Sequence, residues 1–267
     1  MTCGIAAAFA VEVEPTRIEL KIPADRPAGG ELQVSNRGRE AVEVRLSAGP
    51  YRFLDPKLKR ASCEDWLRFK PDRFTLAPGA TTSVGYVVTP PANLDVDTAG
   101  EYLAAVLVDQ YPAEPKQPGE GKSKVTVVPR IALATYLMIE GRDRVQVELS
   151  GLKSEKLAAA AGGTGGREAT RNLLKLTATL KNLGTVHVRP SGTYALFEEG
   201  GHLYHTAPLG KGMPLLPSAS MEIPALLPMP PAGRYRWVST VEVQEGTVLQ
   251  KEVSVEITEG GEVVGGP

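Results

Sequence analysis

Apolar and polar residues alternate with a period of two through much of this chain. In the segment 11–22, Val11, Val13, Ile18, Leu20 and Ile22 are the apolar positions, and Arg17, Glu19 and Lys21 fall between them. Val42, Val44 and Leu46 repeat the pattern over 40–47, and further runs cover 31–35, 81–89 and 102–108. Alternation of this kind places successive side chains on opposite faces of an extended strand. The longest apolar run is Val125 to Glu140, VTVVPRIALATYLMIE, with Gly141 just beyond it. Both its odd and its even positions are apolar, as in a strand covered on two sides. Pro129 and Arg130 interrupt it too early for a membrane-spanning helix, which needs about 18 uninterrupted apolar residues. Arg130 is the one charge within the run, so it must reach water or meet a partner. The run reads as the last strand of a first domain.

Turn signals separate these strands and recur in order. Asn36-Arg37-Gly38 is echoed by Asn182-Leu183-Gly184, Leu76-x-Pro78-Gly79-Ala80 by Leu215-x-Pro217-Ser218-Ala219, and Ala99-Gly100-x-Tyr102 by Ala232-Gly233-x-Tyr235. Three correspondences at unequal spacing predict two copies of one fold rather than a tight tandem repeat. Short strands with frequent turns and a Gly-x-Tyr corner predict an all-β chain of two immunoglobulin-like β-sandwich domains in tandem. The tyrosine hydroxyl at such a corner is expected to cap loop backbone. The expected domains are 11–141 and 142–258. Pro27 to Gly30 is expected to be a turn, the Gly- and Ala-rich stretch 155–171 a flexible loop, and 259–267 a disordered tail.

The chain has 267 residues, enough for two cores, and a net charge of −1, which excludes the broad basic field of a nucleic-acid binder. Ala8-Phe9-Ala10 follows a short apolar stretch and resembles the cleavage site of an export signal, so residues 1–10 are read as a signal-peptide remnant. Removal of Cys3 would leave Cys63 alone, with no internal disulfide.

Candidate chemistry is sparse. His202 and His205, three apart on a strand, point to opposite faces and make a poor metal pair, and no cysteine cluster supports them. Cys63 has no histidine near it in sequence to activate it as a nucleophile. Asp95 and Asp97 lack the companion residues of a helix-loop-helix calcium site, and the glycines at 162–166 lack the Lys-Ser/Thr of a phosphate loop. No enzyme, cofactor or metal is expected.

Pro15-Thr16-Arg17-Ile18, Leu32-Gln33-Val34-Ser35-Asn36, Leu76-Ala77-Pro78-Gly79 and Arg130-Ile131 resemble the N-terminal domain of periplasmic pilus chaperones of the PapD type. The resemblance covers about half of the chain. It implies two immunoglobulin-like domains set at an angle, and a basic pair that holds the C-terminal carboxylate of a client subunit. By motif position that pair falls on Arg17 and Arg130. It also implies that the last strand of the first domain, here Val125, Val127 and Ile131, adds to a client's sheet. The expected protein is exported to the periplasm or beyond, is not an integral membrane protein, and has a client or envelope protein as partner. The docking run that precedes the second basic residue in that family is represented by Gly121, Ser123 and Val125. The alternative is a structural or adhesive envelope module. For the arginines, the plain alternative is that each pairs with a nearby carboxylate such as Glu19 or Glu140.

Overall fold

A computed structural model describes residues 10–51, 62–92, 94, 100–113, 127–159, 171–210 and 212–265. The signal-peptide remnant, Val125, the two aspartates Asp95 and Asp97, and the glycines at 162–166 lie outside the described residues. The chain divides into two compact units, Met1–Asp143 and Arg144–Pro267, two residues beyond the boundary read from the sequence.

The first unit is a sandwich of two sheets. Strands β1 (Val11–Glu14), β3 (Ala28–Asn36), β7 (Thr81–Val88) and β5 (Leu67–Lys70) form one sheet in the order β1-β3-β7-β5. Strands β2 (Arg17–Ile22), β9 (Arg130–Ile139), β8 (Glu101–Pro112), β4 (Val42–Gly49) and β6 (Arg73–Leu76) form the other, in the order β2-β9-β8-β4-β6. The N-terminal strand is thus split: β1 joins the first sheet and β2 the second, with Pro15 at the crossing, where a residue without an N–H costs no ladder bond. Val34, Val44, Val84, Val106, Leu137 and Ile139 fill the space between the sheets. Trp66, half-buried, stacks on Tyr102 with ring centroids 4.5 Å apart.

The second unit repeats the plan. Strands β10 (Val147–Ala159), β11 (Arg171–Asn182) and β14 (Ser220–Pro228) make a three-stranded sheet. Strands β12 (Ser191–Glu198), β13 (Leu203–Leu209), β15 (Gly233–Gln244), β16 (Thr247–Ile257) and β17 (Val263–Val264) make a five-stranded one, ordered β13-β12-β15-β16-β17. Trp237 is fully buried at its centre, edge-on to Tyr194 at 5.6 Å. The chain is therefore all-β, two immunoglobulin-like sandwiches in tandem.

The kinship of the units is visible bond by bond. Asn36 donates from Nδ2 to the carbonyls of Glu40 and Leu76 and accepts from the Gly38 N–H. Asn182 donates from Nδ2 to Val186 and Leu215 and accepts from Gly184. Gly79, with φ +75°, has Ser218 as its counterpart, with φ +60°. Tyr235 donates its hydroxyl proton to the Pro231 carbonyl at 2.9 Å, the backbone cap expected at that corner.

Three expectations are corrected. Residues 28–30 are the start of β3, not a turn. Gly29 and Gly30 are there for close approach: a Cβ at Gly29 would stand 2.2 Å from the Tyr86 carbonyl oxygen, and one at Gly30 would stand 2.6 Å from the Tyr86 hydroxyl. The described ends of the stretch 155–171 are strand rather than loop. β10 continues to Ala159 and pairs from there with Arg171 of β11, and Glu155 meets Lys175 across the ladder. The tail is not structureless: Val263 and Val264 pair with Ile257 and Glu256.

Candidate functional site

The open edge of the first unit lies at the start of β9. β9 pairs with β8 along its whole length, from Arg130 opposite Asp109 to Met138 opposite Glu101. On its other side, β2 runs parallel to β9 but begins only at Ala134, which is opposite Arg17. Residues 130–133 therefore have a ladder neighbour on one side only, among the described residues. The Gln110 N–H donates to the Pro129 carbonyl and the Ile139 N–H to the Gly100 carbonyl, so odd-numbered residues of β9 bond to β8. By the alternation of a ladder, the backbone groups of Arg130 and Ala132 face the open side. Ile131, predicted as an edge residue, instead directs its backbone to Val108 and packs its side chain against the core. Val127, predicted with it, precedes the strand and is 76% exposed, and Val128 beside it is exposed as well. Among the described residues of the first unit, these two valines are large exposed apolar side chains beside the half-paired start of β9.

Arg17 and Arg130 both project from the outer face of the five-stranded sheet, because Arg17 is paired with Ala134 and Ala134 shares parity with Arg130. They are not brought to one point. Four residues of β9 separate their rungs, roughly 13 Å along the strand at about 3.3 Å per residue. Each already meets a carboxylate. Arg17 donates from Nε to Glu19 at 2.7 Å, the partner expected from spacing. Arg130 does not reach for Glu140. It grips Asp109 with two bonds, Nε to Oδ1 at 2.6 Å and Nη2 to Oδ2 at 2.9 Å. That forked contact raises the Arg130 pKa above its usual value, first through the hydrogen bond and then through the charge of Asp109. The two arginines nevertheless bracket the vacant column beside β9, one at each end of the gap.

The same outer face carries charges that were not singled out in the sequence. Arg73 of β6, Arg45 of β4, Asp109 of β8 and Arg130 of β9 are direct cross-strand neighbours on one rung. Glu43, one rung away, accepts from Arg45 at 2.6 Å and from Arg73 at 2.7 Å. These two bonds, that from Arg73 the stronger, hold the Glu43 carboxyl below the usual carboxylate range. Arg45 lies over the Tyr111 ring at 4.2 Å. The period-two spacing of Glu43 and Arg45 was legible; the rung that joins them to Asp109 was not.

Cys63 is fully buried in the first core, and burial raises its thiol pKa far above the ordinary value. It is a packing residue rather than a nucleophile. In the second unit a groove of about 680 Å³ is lined by Glu198, Arg234, Arg236, Glu256 and Val264. Both of its arginines are paired, Arg236 with Glu252 at 3.1 Å and Arg234 with Glu256 at 3.9 Å. Among the described residues no helix is long and apolar enough to cross a membrane.

No family model and no curated relative matches the chain. Solved structures with a similar course of strands do. One is a chain from Salmonella enterica SafA pilin in complex with the SafB chaperone, 15% identical over 91% of this chain and 96% of that one, with a TM-score of 0.46. Another is the Escherichia coli chaperone DraB, 17% identical over 91% and 97%, with a TM-score of 0.45. A third is the Pseudomonas aeruginosa chaperone CupB2, 14% identical over 90% and 98%, with a TM-score of 0.43. Similarity at this level describes an arrangement of strands and leaves function to the site itself.

Proposed function

We propose that this chain is an exported, non-enzymatic assembly protein of the pilus-chaperone type, which holds a client polypeptide by strand addition at the start of β9. The observation that carries the reading is the half-paired segment 130–133, with the backbone groups of Arg130 and Ala132 directed to a vacant column. A client strand in that column continues the line of β2, and exposed Val127 and Val128 give it apolar contact. Main-chain bonds supply affinity in such pairing, and side-chain contacts supply selectivity. If the client runs parallel to β9, as β2 does, its C-terminus arrives at Arg17 while the residue four positions earlier passes Arg130. Carboxylate binding by Arg17 and Arg130 belongs to the same proposal. The two side chains are 51% and 55% exposed, and an incoming carboxylate can replace Glu19 or share Arg130 with Asp109.

Titration calorimetry with a synthetic decapeptide alternating Val and Thr, with a free C-terminus, tests both parts. Ala132→Pro removes one edge N–H without touching the β8 ladder, and should weaken binding by on the order of tenfold. Arg17→Ala should erase the preference for the free acid over the C-terminally amidated peptide, and Arg130→Ala, one gap-length away, should weaken the binding of both peptides alike. Unchanged binding by Ala132→Pro would reject strand addition. An unchanged preference in the double arginine variant would reject the clamp. A structural or adhesive envelope module predicts that none of the variants alters binding.

A further inference from the structure

The rung Arg73–Arg45–Asp109–Arg130 places two like charges, Arg73 and Arg45, directly opposite each other on neighbouring strands, an arrangement that costs stability. Two carboxylates answer three guanidinium groups, so the cluster has a net charge of +1. The exposures are graded. The side chains of Arg73, Arg45 and Arg130 are 61%, 46% and 55% exposed, whereas those of Glu43 and Asp109 are 19% and 11% exposed. The acceptors lie underneath and the donors face outward. Among the described residues, Arg45 reaches Glu43 through Nε and Arg73 through Nη2, and each guanidinium has further N–H donors beyond that bond. The Tyr111 ring, 4.2 Å below the Arg45 guanidinium carbon, holds that cation in place on the face.

We propose that this outer face is a docking ledge for an acidic polypeptide segment, with Arg45 and Arg73 as its principal carboxylate receptors and Arg130 at its far end. The ledge spans about 14 Å, three strand spacings of about 4.8 Å, room for two or three side-chain carboxylates of an extended chain. Carboxylates are the ligands the ledge already takes: Asp109 sits in the fork of Arg130, and Glu43 bridges Arg45 and Arg73. A polypeptide is favoured over a small anion by the shelf beside the charges. Leu107, Ala132 and Ala134 lie on the same face, with Leu107 leaning over Gly49, whose added Cβ would meet it at 2.9 Å. Such a flat, small-residue surface suits a passing chain. Arg45 and Arg73 sit on the strands farthest from the open edge of β9, so the ledge meets the strand-addition site only at Arg130 and Ala132.

Fluorescence anisotropy with a labelled dodecapeptide alternating Glu and Ser tests the ledge on the full chain. Binding should weaken as salt rises from 0.05 to 0.5 M, roughly the range over which screening shortens from more than 10 Å to a few Å. Arg45→Gln with Arg73→Gln should lower affinity by on the order of tenfold, the loss of one to two charge-assisted contacts. Glu43→Gln removes the internal negative charge and one of the two acceptor oxygens, and should tighten binding severalfold. Arg236→Gln in the second unit should change nothing. Equal binding by wild type and the Arg45/Arg73 variant overturns the proposal, as does weaker binding by Glu43→Gln. Capture by phosphatidylglycerol vesicles without capture of the peptide overturns the assignment to a polypeptide. The Arg45/Arg73 variant should still bind the Val/Thr decapeptide, and Ala132→Pro should still bind the acidic one, so failure at either site is read separately.

Discussion

Ser218 holds φ at +60° in the position that Gly79 occupies in the first unit. A side chain in the left-handed region costs about 1 kcal/mol relative to glycine. Ser218→Gly should therefore raise the stability of the second unit by about 0.5–1 kcal/mol in urea unfolding, and no change would show that the turn is relaxed as it stands. Tyr194 offers a second single-residue test. Its hydroxyl donates to the Ile223 carbonyl and accepts from the Ala178 N–H, and burial raises its pKa to about 12. The folded form keeps its proton after the unfolded form, with an ordinary pKa near 10, has released it. Stability contributed this way is whole below pH 10, falls at about 1.4 kcal/mol per pH unit from there, and is gone by about pH 12. Tyr194→Phe should flatten that alkaline decline while lowering stability at neutral pH, where the Ala178 N–H and the Ile223 carbonyl lose their partner. Cys63, by contrast, should resist a thiol reagent in the native protein and react only after denaturation.

Strands were readable where their pattern is local, and misread where the information is elsewhere in the chain. Alternation alone locates β2, β4 and β7. Gly29 and Gly30 look like a turn because glycine serves both turns and close approach, and only the position of Tyr86, more than fifty residues later, tells which. The length of β10 was hidden by its alanines, because the support for Glu155 comes from Lys175 across the hairpin. The site divides the same way. The Arg17–Glu19 pair follows from period-two spacing on one strand, whereas the Arg130–Asp109 fork depends on the register of β8 against β9, which no local pattern encodes. The Asn36 and Asn182 anchors lie between these cases: their repeat was visible, and their bonds explain it. Replacing either asparagine by alanine strips two carbonyls and one N–H of their partner. The cost should be about 2–4 kcal/mol for the unit concerned, given about 1–3 kcal/mol per buried unpaired group. Equal losses from Asn36→Ala and Asn182→Ala in chemical unfolding would establish the two anchors as equivalent; a negligible loss from either would deny that its bonds matter.

Edges are treated differently in the two units, and this bears on where binding resides. A bare strand edge invites unwanted pairing, so sheets blunt their edges with proline, lysine or shortness. In the second unit, edge strand β13 carries Pro208 and edge strand β14 carries Pro224. The flank of β10 is crossed by Lys251, which donates to the Ser150 carbonyl at 3.4 Å, and by Gly265, whose carbonyl accepts from the Ser154 hydroxyl at 3.0 Å. In the first unit β1, β5 and β6 are only four residues long. The start of β9 has none of these devices on its open side, among the described residues, beyond Pro129 at its entrance. Such an edge is what the proposed strand addition requires. Each unit has its own core and its own pair of sheets, so each is expected to fold when produced alone. Residues 1–143 should then retain binding of both the Val/Thr decapeptide and the acidic peptide, and residues 144–267 should bind neither while still showing the alkaline transition of Tyr194. Decapeptide binding by residues 144–267 would move strand addition to the wrong sandwich, and with it the reading of β9 as the working edge.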